Sequence, residues 1–122
     1  MNGRAAALFA LAAILHGYGA SAAEAFRQLN GREISAHLTG MELTDEVHWA
    51  FVFLQQSRFQ SFSMGAKQAG TWRVRRNELC IERSNDAVRC YEVWMSGKQI
   101  QLRRPGLDIH DEGVLQRPAK RS

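Results

Sequence analysis

The sequence predicts a mainly β protein: a curved antiparallel meander or partly open small barrel of about six or seven strands, with one short N-terminal helix. Two observations carry this prediction. From Met41 onward, short runs of apolar and β-branched residues with a period of two are separated by tight turns. Between Asn30 and Gly40, apolar residues recur at helical spacing instead. A sheet with one apolar face needs a cover, and this helix is the only other predicted element.

The first 23 residues have the features of a secretory signal peptide. Arg4 provides a positive start, residues 5–15 form an apolar run, and residues 20–23 make a small-residue cleavage site. The apolar run is shorter than the about 20 residues that a membrane-spanning helix needs. We therefore expect cleavage after Ala23, a periplasmic or secreted protein, and no stable membrane insertion. Retention of the segment as an anchoring N-terminal helix is the alternative.

A single domain is expected at residues 24–104, followed by a flexible basic tail at residues 105–122. Pro105 and Gly106 end the alternating pattern, and the residues after them show little periodicity before a basic finish at the C-terminus. The whole chain carries a formal net charge of +4. Such a mild positive balance gives only a weak attraction to anionic surfaces. It does not identify nucleic acid as a partner, and none is expected.

The domain begins with the helix, predicted at residues 31–39. Asn30 is placed to cap it, Glu33 lies three residues later as in a capping box, and Gly40 supplies a stop. Residues 65–70 are expected to form a loop. The predicted strands are 41–44, 48–54, 59–64, 71–75, 78–83, 87–95 and 99–103.

The chain has two cysteines, Cys80 and Cys90, on either side of a turn-forming cluster at residues 84–86. A hairpin closed around this cluster places the two cysteines directly opposite each other, close enough for a disulfide. The same register places Leu79 opposite Tyr91. In an exported chain such a pair usually forms a bridge, which across so short a loop stabilises the fold by about 3 kcal/mol. A redox-active or metal-binding pair is the alternative, although no C-x-x-C motif or nearby histidine supports it.

An ordered set of short motifs resembles a known group of proteins. The motifs are LNGREI at residues 29–34, GTW at 70–72, LC at 79–80 and CYEV at 90–93. This set is similar to that of small exported alphaproteobacterial proteins of unknown function, in which a short L-x-G-x-E-I helix precedes G-x-W, L-C and C-[YW]-x-V strands. The resemblance implies a periplasmic β domain with a Cys80–Cys90 bridge, and no activity that carries over. The chain departs from the pattern between Trp49 and Met64, where the group often has glycine-rich turns.

No set of residues specifies a reaction. The three histidines after the signal peptide are scattered: His37 on the helix, His48 at the start of a strand and His110 in the expected tail. Residues 108–112 hold three carboxylates around His110, which is the one cluster of metal-ligating residue types. A tight metal site needs ligands held in place, so we expect this cluster to be solvated. The sequence thus predicts no enzyme, no cofactor and no metal site.

Trp94 is the candidate centre of a binding surface. Strand parity places it on the outer face with the cysteines, away from Tyr91. Together with Arg73, Arg75 and Arg89 on neighbouring strands, its ring would form an aromatic surface edged by guanidinium groups, suited to an anionic or sugar-like ligand. A single tryptophan stacked over the disulfide is the alternative.

These observations favour a non-enzymatic periplasmic β module that binds a protein or an anionic envelope component. One alternative is an inhibitor of a cell-wall hydrolase, since a small exported β domain can present a loop to an enzyme cleft. Another is a carrier of a small apolar ligand, lined by the strand at residues 48–54. The short strands leave little interior for such a ligand, because even eight-stranded barrels hold only one small molecule.

Overall fold

A computed structural model describes residues 25–84 and 86–121. The predicted signal peptide lies outside this range. The described chain forms one helix, α1 (Gly31–Leu38), and nine strands. The strands are β1 (Arg27–Gln28), β2 (Glu42–Thr44), β3 (Trp49–Phe53), β4 (Arg58–Ser63), β5 (Ala66–Arg75), β6 (Glu78–Arg83), β7 (Arg89–Ser96), β8 (Gln99–Arg103) and β9 (His110–Gln116). None of the described helices is long and apolar enough to cross a membrane.

Strands β2 to β9 form a closed antiparallel barrel of eight strands in simple meander order. Each strand pairs with the next along the chain, and β9 pairs with both β8 and β2, which closes the ring. The ninth strand, β1, adds to β7, with Arg27 opposite Met95. The mainly antiparallel β class with one short helix is therefore confirmed, whereas the barrel is closed and has more strands than predicted.

The predicted end of regular structure at residue 104 is wrong, because residues 110–116 form the strand that closes the barrel. Three polar residues and a glycine begin this strand, so its sequence lacks the apolar alternation that marks the others. The glycine is required by close packing: a Cβ on Gly113 would lie 2.8 Å from the carbonyl oxygen of Thr44 in β2. Glycine weakens most strands, but at position 113 it lets the backbones of β9 and β2 approach closely.

The predicted loop at residues 65–70 is also wrong. The chain reverses in a turn of two residues, Met64 and Gly65, and residues 66–70 are the first half of β5. Their small and polar side chains carry little strand propensity. Gly70 again marks a close approach, since a Cβ there would lie 2.2 Å from the carbonyl oxygen of Glu82.

The helix forms as its sequence predicts and closes one end of the barrel. The Asn30 side chain accepts from the Glu33 N–H at 2.9 Å, and the Glu33 carboxylate accepts from the Asn30 N–H at 2.9 Å, completing the capping box. Ile34 and Leu38 are fully buried in the barrel core. At the helix start, the Gly31 N–H donates to Asn77 Oδ1 in the β5–β6 turn. We call this end of the barrel the closed end.

The β6–β7 hairpin has the predicted register. Cys80 lies opposite Cys90 and Leu79 opposite Tyr91, and the two sulfurs are bonded. The disulfide lies on the outer face, while Leu79 and Tyr91 contribute to the core. Both the predicted bridge and the predicted division of the hairpin into two faces are confirmed.

Candidate functional site: the mouth of the barrel

In a meander barrel, alternate connections lie at the same end. The end opposite the helix carries four loops, at residues 45–48, 64–65, 84–88 and 104–109. We call this end the mouth and these connections the mouth loops. Because the helix covers only the closed end, the barrel interior can be reached from the mouth.

The exposed apolar side chains concentrate at the mouth. Among the described residues, five large apolar residues are exposed, and every one is on a mouth loop: Val47, Met64, Val88, Leu107 and Ile109. Single exposed apolar residues are normal on a protein surface. Their confinement to one end, with at least one on each of the four loops, is what distinguishes this surface.

Met64 is the most exposed of them, at 83 %. Its backbone is in the left-handed region, with φ 52°, at the first position of the two-residue β4–β5 turn. A side chain in this region costs about 1–3 kcal/mol, and glycine or asparagine is the usual occupant. At this exposure, methionine recovers little of that cost by burial.

Val47, which is 78 % exposed, is held outward by a loop built around Asp45. One oxygen of that carboxylate accepts from the backbone N–H groups of Val47, His48 and Trp49 at 2.7–3.0 Å. The other oxygen lies 2.9 Å from Nδ1 of His48. Desolvation opposes the charged form, but these bonds outweigh it and hold the pKa of Asp45 well below its usual range. The loop is therefore fixed by a carboxylate that stays ionised.

Inside the ring of mouth loops lies a cavity of about 360 Å³, which we call the cup. Its lining consists of Trp49, Phe51, Ser61, Ser63, Gln68, Arg83 and Asp111. Pairing explains why these side chains meet, because residues opposite each other on adjacent strands share a face. Ser61 lies opposite both Phe51 and Gln68, and Phe51 belongs to the core. The cup is thus the outermost part of the barrel interior, polar on one side and aromatic on the other.

Arg83 is the cationic residue of the cup. Its guanidinium carbon lies 5.0 Å from the centroid of the Phe51 ring, and its side chain is 25 % exposed. The residue opposite it on β5 is Gly70, so no β5 side chain fills the interior at this level. Nε is buried and has no hydrogen-bond partner within the described chain. The ion pair that Arg83 makes there, to Asp86, is long, at 3.9 Å.

A second, larger cleft of about 570 Å³ lies on the outer wall beside the mouth, under the C-terminal segment. There Arg121 binds the buried Glu42 carboxylate at 2.7 Å and covers the Phe62 ring at 4.3 Å. Burial favours the neutral form of Glu42, but donors from Arg121, Ala119 and Gln116 outweigh it and lower its pKa. Glu42 and Arg121 thus satisfy each other in this cleft, whereas Nε of Arg83 in the cup has no partner in the described chain.

The structure divides the residues of the predicted binding surface between two faces. Trp94 is on the outer wall, where Arg103 stacks over its ring at 4.0 Å and Glu92 accepts from its Nε1 at 3.0 Å. Arg73, opposite Cys80, and Arg75 are exposed on the same wall. Arg89 lies opposite Ile81 and lines a small cavity with it beside Arg83. The structure therefore does not bring Arg89 together with Trp94.

The described residues offer little for metal binding or nucleophilic catalysis. The grouping of potential metal ligands among them is Glu78, Cys80 and Cys90, and its two sulfurs are bonded to each other. His48 is engaged by Asp45, and no histidine lines the cup. The hydroxyl groups of Ser61 and Ser63 thus have no imidazole base beside them.

No protein family, curated protein or solved structure matches this chain. The resemblance to small exported alphaproteobacterial proteins stays a prediction.

Sequence reasoning missed the cup, although some of its signal was present. The predicted strand 78–83 turns Leu79 inward, and the same parity turns Arg83 inward. An arginine on an apolar face is a reason to look for a site. The sequence does not predict the closed ring around Arg83, because the polar start of the closing strand β9 lacks the apolar alternation of a strand.

Proposed function

We propose that this chain is a non-enzymatic, exported binding module whose mouth binds a protein partner. The observation that carries the proposal is the confinement of every exposed large apolar side chain of the described chain to the four mouth loops. Exposed apolar surface collected in one place and edged by polar groups is typical of an interaction site. Export is supported by the signal-like N-terminus and is compatible with the disulfide.

The charge of the mouth favours a protein over an anionic membrane surface. Residues 45–48, 64–65, 83–89 and 104–111 carry five carboxylates and three arginines. A lipid surface of negative charge would be repelled by this excess of carboxylates. Exposed apolar side chains mixed with arginine and aromatic rings are characteristic of protein interfaces.

The polar lining of the cup argues against a carrier of a small apolar ligand. A hydrophobic ligand would have to desolvate the Arg83 guanidinium and the Asp111 carboxylate without replacing their bonds to water. An inhibitor of a cell-wall hydrolase remains compatible with the proposal, because the enzyme would then be the protein partner.

A capture experiment with two matched variants tests the proposal. The immobilised domain is exposed to periplasmic extract as wild type, as the mouth variant Val47→Ser, Met64→Ser and as the wall variant Trp94→Ala, Arg73→Ala. All four sites lie at least partly on the surface, so both variants are expected to fold, which circular dichroism checks. Wild type and the wall variant should retain the same protein, and the mouth variant should lose it.

Three results would contradict the proposal. The first would be that the mouth variant retains the protein unchanged. The second would be that only the wall variant loses it. The third would be that the domain sediments with anionic vesicles in a Met64-dependent manner. The second result would move the site to the outer wall around Trp94, and the third would replace the protein by a membrane. Assaying captured enzymes for inhibition then tests the hydrolase alternative directly.

A further inference from the structure

We propose that the cup is a binding site for a carboxylate group on a short apolar or aromatic stem, with Arg83 as the residue that recognises it. The inference deepens the proposed function and rests on it in one respect: the carboxylate is taken to belong to the partner, as an acidic side chain or a chain terminus. The site itself depends on the residues of the cup alone.

Arg83 has unmet hydrogen-bonding capacity in the described chain. A guanidinium has five N–H donors arranged as a fork that matches a carboxylate. In the described chain Nε is buried without a hydrogen-bond partner, and Asp86 lies at 3.9 Å, beyond hydrogen-bond range. A buried donor that is left unsatisfied destabilises the protein. A carboxylate bound at the guanidinium supplies an acceptor that the described chain does not provide for Nε.

The lining of the cup has the chemistry that such a ligand needs. Ser61, Ser63 and Gln68 supply neutral hydrogen-bond donors on one side. Trp49 and Phe51 form the other side, with ring centroids 4.7 Å apart, and offer an apolar wall for the stem of a ligand. At about 360 Å³, the cup is at the lower end of the range of small-molecule pockets. It suits one side chain or one small acid.

The charges around Arg83 favour a carboxylate over a phosphate. Asp111 lines the cup and Asp86 lies beside Arg83, so two negative groups flank the guanidinium. A singly charged carboxylate meets less repulsion from them than a phosphate dianion does. Arg89 lines the small cavity next to Arg83 together with Asp86. Asp86, Asp111 and Arg89 are all exposed, so solvent screens the three charges alike, and the two carboxylates still outnumber the one arginine.

The test uses small probes and needs no partner. Benzoate, its neutral analogue benzamide and inorganic phosphate are titrated into ¹⁵N-labelled protein, and the Nε–H signal of Arg83 and the indole N–H signal of Trp49 are followed by NMR. Benzoate should shift both signals saturably, with a Kd on the order of 1 mM. Benzamide and phosphate should each bind at least about tenfold more weakly than benzoate. Benzamide has no negative charge, and phosphate is not a planar, singly charged group that matches the guanidinium.

Variants separate recognition by Arg83 from a general effect on the barrel. Arg83→Met keeps the length and apolar stem of the side chain and should abolish the benzoate shift of Trp49. Arg83→Lys keeps the charge without the fork and should weaken binding about tenfold. Arg73→Met, on the exposed outer wall, should bind benzoate as wild type does. The unfolding midpoint of each variant confirms that it is folded.

The carboxylate site is overturned if no saturable shift occurs, if benzamide binds as well as benzoate, if binding survives Arg83→Met, or if phosphate binds more tightly. Its failure is distinguishable from that of the proposed function, because the mouth variant Val47→Ser, Met64→Ser leaves the cup lining unchanged. Loss of partner capture with retained benzoate binding supports both proposals. Benzoate binding without any mouth-dependent partner leaves the carboxylate site standing and removes the protein-binding function.

Discussion

At the scale of single residues, Trp72 shows how a large core side chain is held in one orientation. It is 7 % exposed, its Nε1–H donates to the Leu54 carbonyl at 2.9 Å, and its ring meets Phe53 edge-on with centroids 5.3 Å apart. Trp72→Phe removes the donor and leaves a small void. We expect a loss of about 2–3 kcal/mol in the free energy of unfolding, measured by urea denaturation with the disulfide intact.

Trp94→Phe is the matched control. It also loses one indole hydrogen bond, to Glu92 at 3.0 Å, but Trp94 is on the outer wall and only half-buried. The expected cost is under about 1 kcal/mol. Equal losses for the two variants would show that Trp72 gains nothing from its buried position.

For two residues of the site, the local sequence does not predict the environment of the side chain. The inward direction of Arg83 follows from strand parity, but its isolation from hydrogen-bond partners depends on the ring around it. The exposure of Met64 depends on a two-residue turn, and the sequence predicted a longer loop there. Both properties come from the position of a residue in the closed barrel and not from its local sequence.

At the scale of elements, the cap of α1 controls how well the closed end is covered. Asn30→Ala removes the acceptor of the Glu33 N–H and should lower the free energy of unfolding by about 1 kcal/mol. Asn30→Ser keeps a side-chain oxygen at the cap, so its free energy of unfolding should remain within a few tenths of a kcal/mol of wild type. Urea unfolding resolves the difference between the serine and alanine variants. If serine were as costly as alanine, the cap would not be the source of the stability.

Elements with strong local signals are the ones that sequence predicts. The helix and its cap, the strands at residues 78–83 and 99–103 and the disulfide register have the predicted positions. The sequence does not predict the first half of β5 or the strand β9, because small and polar residues make up the former and begin the latter. Their strand conformation is imposed by neighbouring strands that approach closely at Gly70 and Gly113, which is information held elsewhere in the chain.

At the scale of the whole molecule, the Glu42–Arg121 pair joins the C-terminal segment to the barrel wall. The pKa of Glu42 is lower in the folded protein than its ordinary value of 4.5. Its contribution to stability is therefore present at neutral pH and is lost as the pH falls below 4.5 through the folded-state pKa. Glu42→Gln should lower the free energy of unfolding by about 1–3 kcal/mol at neutral pH.

The gap between wild type and Glu42→Gln should close as the pH falls, because protonated glutamate resembles glutamine in charge. Urea midpoints measured across that range check this. Glu46→Gln, at an exposed loop position, serves as the control and should follow wild type throughout. If the loss of stability caused by Glu42→Gln persisted unchanged in acid, the shape of the side chain and not its charge would account for the loss.

The direction of β1 places the N-terminal side of the described chain at the closed end, opposite the mouth. Arg27 pairs with Met95 beside the β7–β8 turn, at the pole covered by α1, so anything attached ahead of residue 25 joins the domain there. If the domain is attached through its N-terminus to a sensor chip or to a larger assembly, Val47 and Met64 point away from the support. They then remain accessible to a partner in solution.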